Sequence, residues 1–304
     1  MDKESRKKLI NKAVEEYITT SIEDRSLTQI SKKYHIDRHT IAKELNKRGI
    51  EILTTNIKFK FNDTVFDSID TEEKAYWLGF IFADGCIQSN DRRFSMSLSE
   101  KDIEHLQKFK NFINTKNAIH IVKDKRFDCN LCSIAVRSDH FWNSLNDKGC
   151  TARKSLTLKF PDISIFNNKS LIKDFIRGYC DGDGTIGIYE RSRDKLYKLS
   201  MVGTLDFLNE VQKYIGIKGS IYKATYGKKV TEAVCLGYNS LKARQVARIL
   251  YENSTIYLQR KYDIFKLFCQ AEEESSRLKS SKIGEGWNAN TEVSSEITKG
   301  SETP

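Results

Sequence analysis

Two acidic residues occupy matching positions in this 304-residue chain. The stretch GFIFADG, residues 79–85, ends on Asp84 before a glycine, and IRGYCDGDG, residues 176–184, ends on Asp183 before a glycine. The C-terminal end of a helix is its negative end, so an acid there costs about a few tenths of a kcal/mol. We expect Gly85 to be a left-handed helix stop. Two unfavourable acids in matching contexts indicate a chemical role, and the alternative is an ordinary polar helix end.

Small residues precede both acids at the same spacing. The pairs four residues apart are Gly79 with Ala83 and Gly178 with Gly182. Helices with such a stripe can approach closely, so we predict that the two helices lie side by side and that Asp84 and Asp183 converge. Two nearby carboxylates repel each other. Because Mg²⁺ accepts one or two carboxylates together with phosphate oxygens, the pair predicts a magnesium site that a phosphate-bearing substrate completes.

The elements that must position these acids form an internal repeat. In each half a helix, two strand-like runs, a second helix, two more strand-like runs and a closing helix follow one another. The second pair of runs covers 118–123 with 127–136, and then 219–225 with 230–238. Consecutive runs of this kind pair as hairpins, which predicts an α+β fold with a duplicated unit.

The motif pair resembles a known family. WLGFIFADG and IRGYCDGDG are similar to the two motifs of single-chain LAGLIDADG homing endonucleases, and the likeness runs through about 71–270. It implies a duplicated, pseudo-symmetric αββαββα fold whose antiparallel sheets form a saddle on the DNA major groove. It also implies that Asp84 and Asp183 bind the catalytic metal. The sequence departs at the sixth motif position, which holds Phe82 in one copy and Asp181 in the other; Asp181 is expected to be a helix-terminal or interface polar group.

Two basic residues are candidates for the same site. The segment KGCTARKSLTL with a following FP, and the segment NSTIYLQRKYDIF, resemble family segments that carry a basic residue near the metal. These likenesses nominate Lys154 and Lys261, which could stabilise developing negative charge or orient the attacking water. The neighbouring Arg153 and Arg260 could serve instead.

Alternation along the strands predicts the surface that contacts DNA. In RFSMSLS, residues 93–99, the apolar side chains should face inward, which turns the polar ones toward the nucleic acid. The DNA-contact candidates on the strands are Arg93, Ser95, Ser97, Lys198, Ser200 and Lys223. Arginine is the side chain that most often hydrogen-bonds to guanine, whereas serine can hydrogen-bond to several different bases.

The first 50 residues read as three short helices. Within SLTQISKKYHIDRHTIAKELNKRGI the apolar spacing and turn resemble a helix-turn-helix. Asp37 is a plausible N-cap of the second helix of that pair, and His35 stands where glycine is frequent. The predicted DNA-facing residues are Arg38, His39, Thr40 and Lys43. The alternative is a helical cap with a solvated, charged face.

These segments predict a domain order: a helix-turn-helix module at 1–50, a linker at 51–70, repeats at 71–165 and 166–270, and a disordered tail at 271–304. The net charge is +10 and the pI about 9.1, which favours a polyanionic partner. Seven cysteines, an odd number, fit a reducing compartment. We read Cys129 and Cys132 as buried thiols on a strand, since no second pair at zinc spacing accompanies them.

The sequence therefore predicts a monomeric, Mg²⁺-dependent endonuclease that makes a staggered break in double-stranded DNA, as part of a mobile intron element. No run of 18 apolar residues and no signal peptide are found, so we expect a cytoplasmic, nucleoid-associated protein of bacterial or phage type with no membrane partner. Two alternatives stay open. One is a DNA-binding transcriptional regulator that does not cleave, and the other is a maturase that binds intron RNA.

Overall fold

A computed structural model describes residues 2–21, 24–52, 60–124, 128–152, 154–192, 194–226 and 229–271. The tail after 271 and the central part of the predicted linker lie outside the described residues. The chain divides into two compact units, the first made of Met1–Asp67 with Cys86–Ser144 and the second of Ser68–Gly85 with Leu145–Pro304. The helix of the first motif thus groups with the second half of the chain.

The first unit begins with three helices, α1 (Lys3–Thr19), α2 (Leu27–Tyr34) and α3 (Arg38–Lys47). Their shared apolar core consists of Ala13, Val14, Tyr17, Ile30, Ile36, Ile41 and Leu45. His35 ends α2 in the left-handed region with φ 52°, a conformation that glycine adopts more readily than other residues. The Asp37 carboxylate accepts a hydrogen bond from the His39 backbone N–H at 2.8 Å and so caps α3 as predicted.

A four-stranded sheet with two helices completes the first unit. The strands are β1 (Gly85–Gln88), β2 (Arg93–Ser99), β3 (His120–Asp124) and β4 (Cys129–Arg137), in the order β1-β2-β4-β3. The helices are α5 (Ile103–Phe112) and α6 (Asp139–Asp147). β2 pairs antiparallel with β4, and the Phe94 ring packs 5.6 Å from the Phe109 ring of α5. Of the two C-x-x-C thiols, Cys132 is buried on β4 and Cys129 is half-buried.

The second unit repeats this order around the two motif helices. These are α4 (Glu72–Asp84) and α7 (Leu171–Asp183). The other elements are β5 (Gly184–Glu190), β6 (Lys195–Gly203), α8 (Leu205–Ile215), β7 (Ser220–Tyr226), β8 (Lys229–Asn239), α9 (Ser240–Tyr251) and α10, which is helical from 259 to 271. The strand order is β5-β6-β8-β7, with antiparallel pairing throughout.

The predicted fold class is confirmed. From α4 to α6 and again from α7 to α9, the chain runs helix, two strands, helix, two strands, helix, and the sheets share one strand order. In β2 the apolar residues alternate with polar ones, so that one face of the strand is buried. Within the described ranges, no helix combines the length and apolar character needed to cross a membrane.

Candidate active site

Glycine lets the backbones of α4 and α7 touch. A Cβ atom on Gly79 would lie 1.9 Å from the Phe175 carbonyl oxygen, and one on Gly182 would lie 2.3 Å from Cβ of Ala83. Gly178 is equally close to α4. Real Cβ atoms do not approach other heavy atoms to such distances, so the four small residues fix the separation of the helices. The C-terminal ends of both helices therefore lie next to each other.

Both motif helices run directly into a strand. The prediction of a left-handed stop at Gly85 is wrong, because Gly85 has φ −72° and ψ 141°. Gly184 is likewise extended, with φ −105° and ψ 168°. Glycine is needed for space: a Cβ on Gly85 would lie 2.7 Å from the Ile81 carbonyl oxygen, and one on Gly184 2.4 Å from that of Cys180. The tight exit into β1 and β5 keeps both acids in the last helical turn.

Asp84 and Asp183 come together at these helix ends. A Cβ on Gly182 would lie 3.2 Å from Oδ2 of Asp84, so the Asp84 carboxylate sits over the residue that precedes Asp183. Asp84 is half-buried, and Asp183 keeps solvent access. Burial, and then the negative charge of Asp183, raises the pKa of Asp84 to about 7. Burial also raises the pKa of Asp183, and the charges of Lys154 and Lys261 oppose that shift. The pair is thus costly to hold in the ionised state.

The two candidate lysines lie at the same helix ends. Lys154 begins the short 3₁₀ turn Lys154–Leu156, and its Nζ donates a hydrogen bond to the Gly85 carbonyl oxygen. Lys261, in the first turn of α10, is 2% exposed. Its Nζ donates to the carbonyl oxygens of Cys180 and Asp181, both at 2.7 Å, and of Gly184 at 2.6 Å. The last carbonyls of a helix lack partners within the helix, so both ammonium groups satisfy them at the negative end.

Burial of Lys261 has a cost, because desolvation lowers the pKa of its ammonium group. The charge of Arg260 lowers that pKa as well. Arg260 is exposed, and its positive charge also acts on Asp84. The other arginine alternative, Arg153, lies outside the described residues.

Asp181 is an interface polar group, as expected from the sequence, and the structure identifies its partners. It is 1% exposed, and its carboxylate accepts hydrogen bonds from the Tyr251 hydroxyl at 2.6 Å, the Tyr76 hydroxyl at 2.7 Å and the Leu258 backbone N–H at 2.7 Å. Burial raises the pKa of Asp181. The corresponding residue of the first motif, Phe82, is buried and packs edge-on against Phe175 at 5.1 Å. A buried acid among polar partners thus occurs in one copy and an aromatic ring in the other.

A second buried network holds the opposite end of α4 to α7. Arg177 is 1% exposed, and its guanidinium pairs with Asp174 at 2.7 Å and with Glu72 at 2.6 Å. It also donates to the carbonyl oxygens of Ile256 and Leu250, both at 3.0 Å. The spacing of Asp174 and Arg177 on one helix is a usable sequence signal for an ion pair. The link to Glu72 has no local signal.

The candidate DNA-contact residues lie on the surfaces of their elements. On α3, Thr40 is half-buried, and the exposed side chains are those of Arg38, His39 and Lys43. On the strands the exposed side chains are Arg93, Ser97, Lys198 and Lys223, whereas Ser95 and Ser200 are half-buried. The alternating positions Phe94, Met96 and Leu98 are buried as expected. Lys198 Nζ lies 5.4 Å from the centre of the Tyr189 ring.

The donor set fits a hydrated divalent cation. Among the described residues, no group of three or more His, Cys, Asp or Glu side chains is arranged for a metal. Asp84 and Asp183 therefore do not belong to a site in which protein side chains supply every metal ligand, such as a structural zinc site. Mg²⁺ typically keeps several waters and takes one or two carboxylates plus phosphate oxygens. Two adjacent carboxylates with raised pKa values are what such a cation would stabilise.

Three comparisons with known proteins gave different outcomes. A scan of family models and a search of curated proteins gave no match. Similar solved structures are LAGLIDADG homing endonucleases. I-SmaMI bound to cleaved DNA is 15% identical, with a TM-score of 0.44, covering 75% of this chain and 97% of that chain.

Two further structures match at the same level. I-SmaMI bound to an uncleaved DNA target in the presence of calcium ions is 16% identical, with a TM-score of 0.45 and coverage of 74% and 99%. I-GzeII in complex with its DNA target is 16% identical, with a TM-score of 0.43 and coverage of 66% and 91%. At this level of similarity we infer the function from the residues of the site.

Proposed function

We propose that the protein is a metal-dependent DNA endonuclease of the LAGLIDADG class, which hydrolyses phosphodiester bonds. The observation that carries this proposal is the pair Asp84 and Asp183, which meets at the ends of two helices in backbone contact. Both carboxyl groups have a raised pKa. A protein that only bound DNA would gain nothing from two mutually repelling acids, because they repel phosphate as well.

Asp84 and Asp183 would hold the divalent metal, for which we propose Mg²⁺, and each acid would serve the scissile phosphate of one strand. A bound divalent cation lowers the pKa of a water ligand and stabilises negative charge on phosphoryl oxygens. The carboxylates contribute hard oxygen ligands and fix the place where this chemistry occurs. Because the pKa of Asp84 is raised to about 7, protons compete with the metal for that carboxylate near neutral pH.

We assign different roles to the three basic residues near the acids. An ammonium group has three donors, and Lys261 uses three on carbonyl oxygens. We therefore assign Lys261 as a fixed positive charge, not as a group that contacts the attacking water. Lys154 supplies the corresponding charge at the end of α4. Arg260 is exposed beside Asp84 and is the better candidate to contact the scissile phosphate.

Binding of duplex DNA would use the exposed polar strand positions and the helix α3. Lys and Arg contacts to phosphates position the duplex, whereas side chains that reach base edges give specificity. The proposed contacts are the ten positions named above: Arg38, His39, Thr40, Lys43, Arg93, Ser95, Ser97, Lys198, Ser200 and Lys223. We propose that one chain makes a staggered break in both strands.

The proposal is tested by cleavage of a duplex library in Mg²⁺. We expect the parent to cut a subset of targets, and Asp84→Asn and Asp183→Asn to lose at least about 100-fold in rate. Asp206→Asn is a matched control, because Asp206 is an exposed acid in the first turn of α8. Undiminished cutting by both site variants would refute the mechanism. Specific binding without cleavage would favour a regulator, and preference for intron RNA at equal salt would favour a maturase.

A further inference from the structure

We propose that Asp181 is a positioning residue for one half of the active site, so that the two DNA strands are cut by half-sites that are held differently. This inference rests on the proposed endonuclease function. It predicts that disturbing Asp181 slows cleavage of one strand and leaves the other nearly unchanged.

Asp181 connects α7 to the start of α10 through two hydrogen bonds, one to its side chain and one to its backbone carbonyl. Its carboxylate accepts the Leu258 backbone N–H at 2.7 Å, just before α10 begins. Its carbonyl oxygen accepts from Lys261 Nζ at 2.7 Å, one turn into α10. Because both bonds join the start of α10 to the last turn of α7, they fix the Lys261 ammonium group beside the helix end that carries Asp183.

The carboxylate is itself held by two further elements. The Tyr76 hydroxyl from α4 and the Tyr251 hydroxyl from α9 each donate a hydrogen bond to it. Both tyrosines are fully buried. A buried carboxylate that accepts three hydrogen bonds has little freedom to move, since losing one leaves a polar group unsatisfied.

The first half of the site lacks this arrangement at the matching position. Phe82 stands where Asp181 stands in the second motif, and it packs against the Phe175 ring. Lys154 lies in a 3₁₀ turn, is half-buried, and donates to the Gly85 carbonyl oxygen. Weakening the Asp181 network should therefore loosen the Lys261 and Asp183 half more than the Lys154 and Asp84 half, which Asp181 contacts through Tyr76 of α4.

The first test follows each strand separately on a target that the parent cuts. We expect Asp181→Asn and Tyr251→Phe to slow one strand by about tenfold, as for other residues that orient a metal site, and the second strand by less than about twofold. Nicked DNA then accumulates. Tyr238→Phe is the matched control: Tyr238 is also buried, and its hydroxyl donates one hydrogen bond, to the Ile217 carbonyl oxygen at 3.1 Å.

The second test measures, without any cleavage, whether the hydrogen bonds of Asp181 hold the start of α10 in place. Amide hydrogen exchange of a peptide covering 252–262 should become faster in Asp181→Asn and Tyr251→Phe and stay unchanged in Tyr238→Phe. Unchanged exchange in both variants would refute the claim that Asp181 holds the start of α10. Faster exchange with equal slowing of both strands, or with no slowing, would overturn the positioning role. A parent protein that cuts no duplex would instead refute the endonuclease proposal, and this inference with it.

Discussion

A Cβ atom on Gly178 would stand 1.9 Å from the carbonyl oxygen of Tyr76, so α7 and α4 are in direct backbone contact. Such a contact leaves no room for any side chain. It sets the distance between the helix ends, and with it the distance between Asp84 and Asp183. Gly178 has no reactive group, yet it determines whether Asp84 and Asp183 lie close enough to act together.

Replacing this glycine should separate the helices. We predict that Gly178→Ala lowers the free energy of unfolding by about 3 kcal/mol, the upper end of the usual cost of overpacking, because the clash is with backbone. Gly187→Ala is the control, since its Cβ would meet the exposed Tyr189 ring at 3.1 Å and that ring can turn away. Urea denaturation measures both. Equal losses in the two variants would show that backbone contact is not the constraint.

The stability of the metal-free protein should depend on the protonation of Asp84. Its pKa rises from 3.8 to about 7 on folding, so the folded state holds the proton more tightly than the unfolded state. Stability then falls as pH rises through the window from about 4 to 7. In EDTA at pH 8 we predict that Asp84→Asn melts about 3 °C above the parent. At pH 4 the parent and Asp84→Asn should have the same melting temperature. A difference in melting temperature that increased as the pH was lowered would contradict the raised pKa of Asp84.

The two lysines should differ in their contribution to stability. Lys261→Met leaves buried carbonyl oxygens without their donor, at a cost of about 3 kcal/mol in the free energy of unfolding. Lys154→Met should cost about 1 kcal/mol, because Lys154 is half-buried and water can replace it. Paired denaturant titrations compare them. The reverse order would mean that the Lys261 contacts with Cys180, Asp181 and Gly184 contribute little.

The Arg177 network should be sensitive to the loss of its cation. We predict that Arg177→Leu costs about 3–5 kcal/mol, because it leaves the buried Asp174 unpaired and the half-buried Glu72 with one partner fewer. Arg248→Leu breaks an exposed pair with Glu252 at 3.0 Å and should cost less than about 1 kcal/mol. Guanidinium denaturation of both variants provides the comparison. Similar losses would argue against a desolvated network.

Local patterns were sufficient to predict the repeated fold and the placement of the acids. Alternation in 93–99 and the spacing of Gly79 and Ala83 reflect which face of an element is buried, and that information lies within a few residues. The stop at Gly85 was predicted wrongly because a glycine after a helix usually adopts a left-handed conformation. Here β1 begins at once, and glycine is needed for space.

The networks around the acids could not be predicted because their partners are remote in the chain. Asp181 receives hydrogen bonds from Tyr76 and Tyr251, which are 105 and 70 residues away. Arg177 reaches Glu72 over 105 residues. Sequence spacing carries no record of such pairs. Likewise, the three carbonyl contacts of Lys261 follow from the start of α10 against the end of α7, which a motif match does not describe.

Both Asp84 and Asp183 are proposed to bind divalent metal in the complex with DNA. The most direct measurement is an electron paramagnetic resonance titration of Mn²⁺ with the protein bound to its own cleavage product, which cannot be cut again. We predict that Asp84→Asn and Asp183→Asn each weaken Mn²⁺ binding by at least about tenfold, while Asp206→Asn binds as the parent does. Parent-like affinity in both site variants would contradict it.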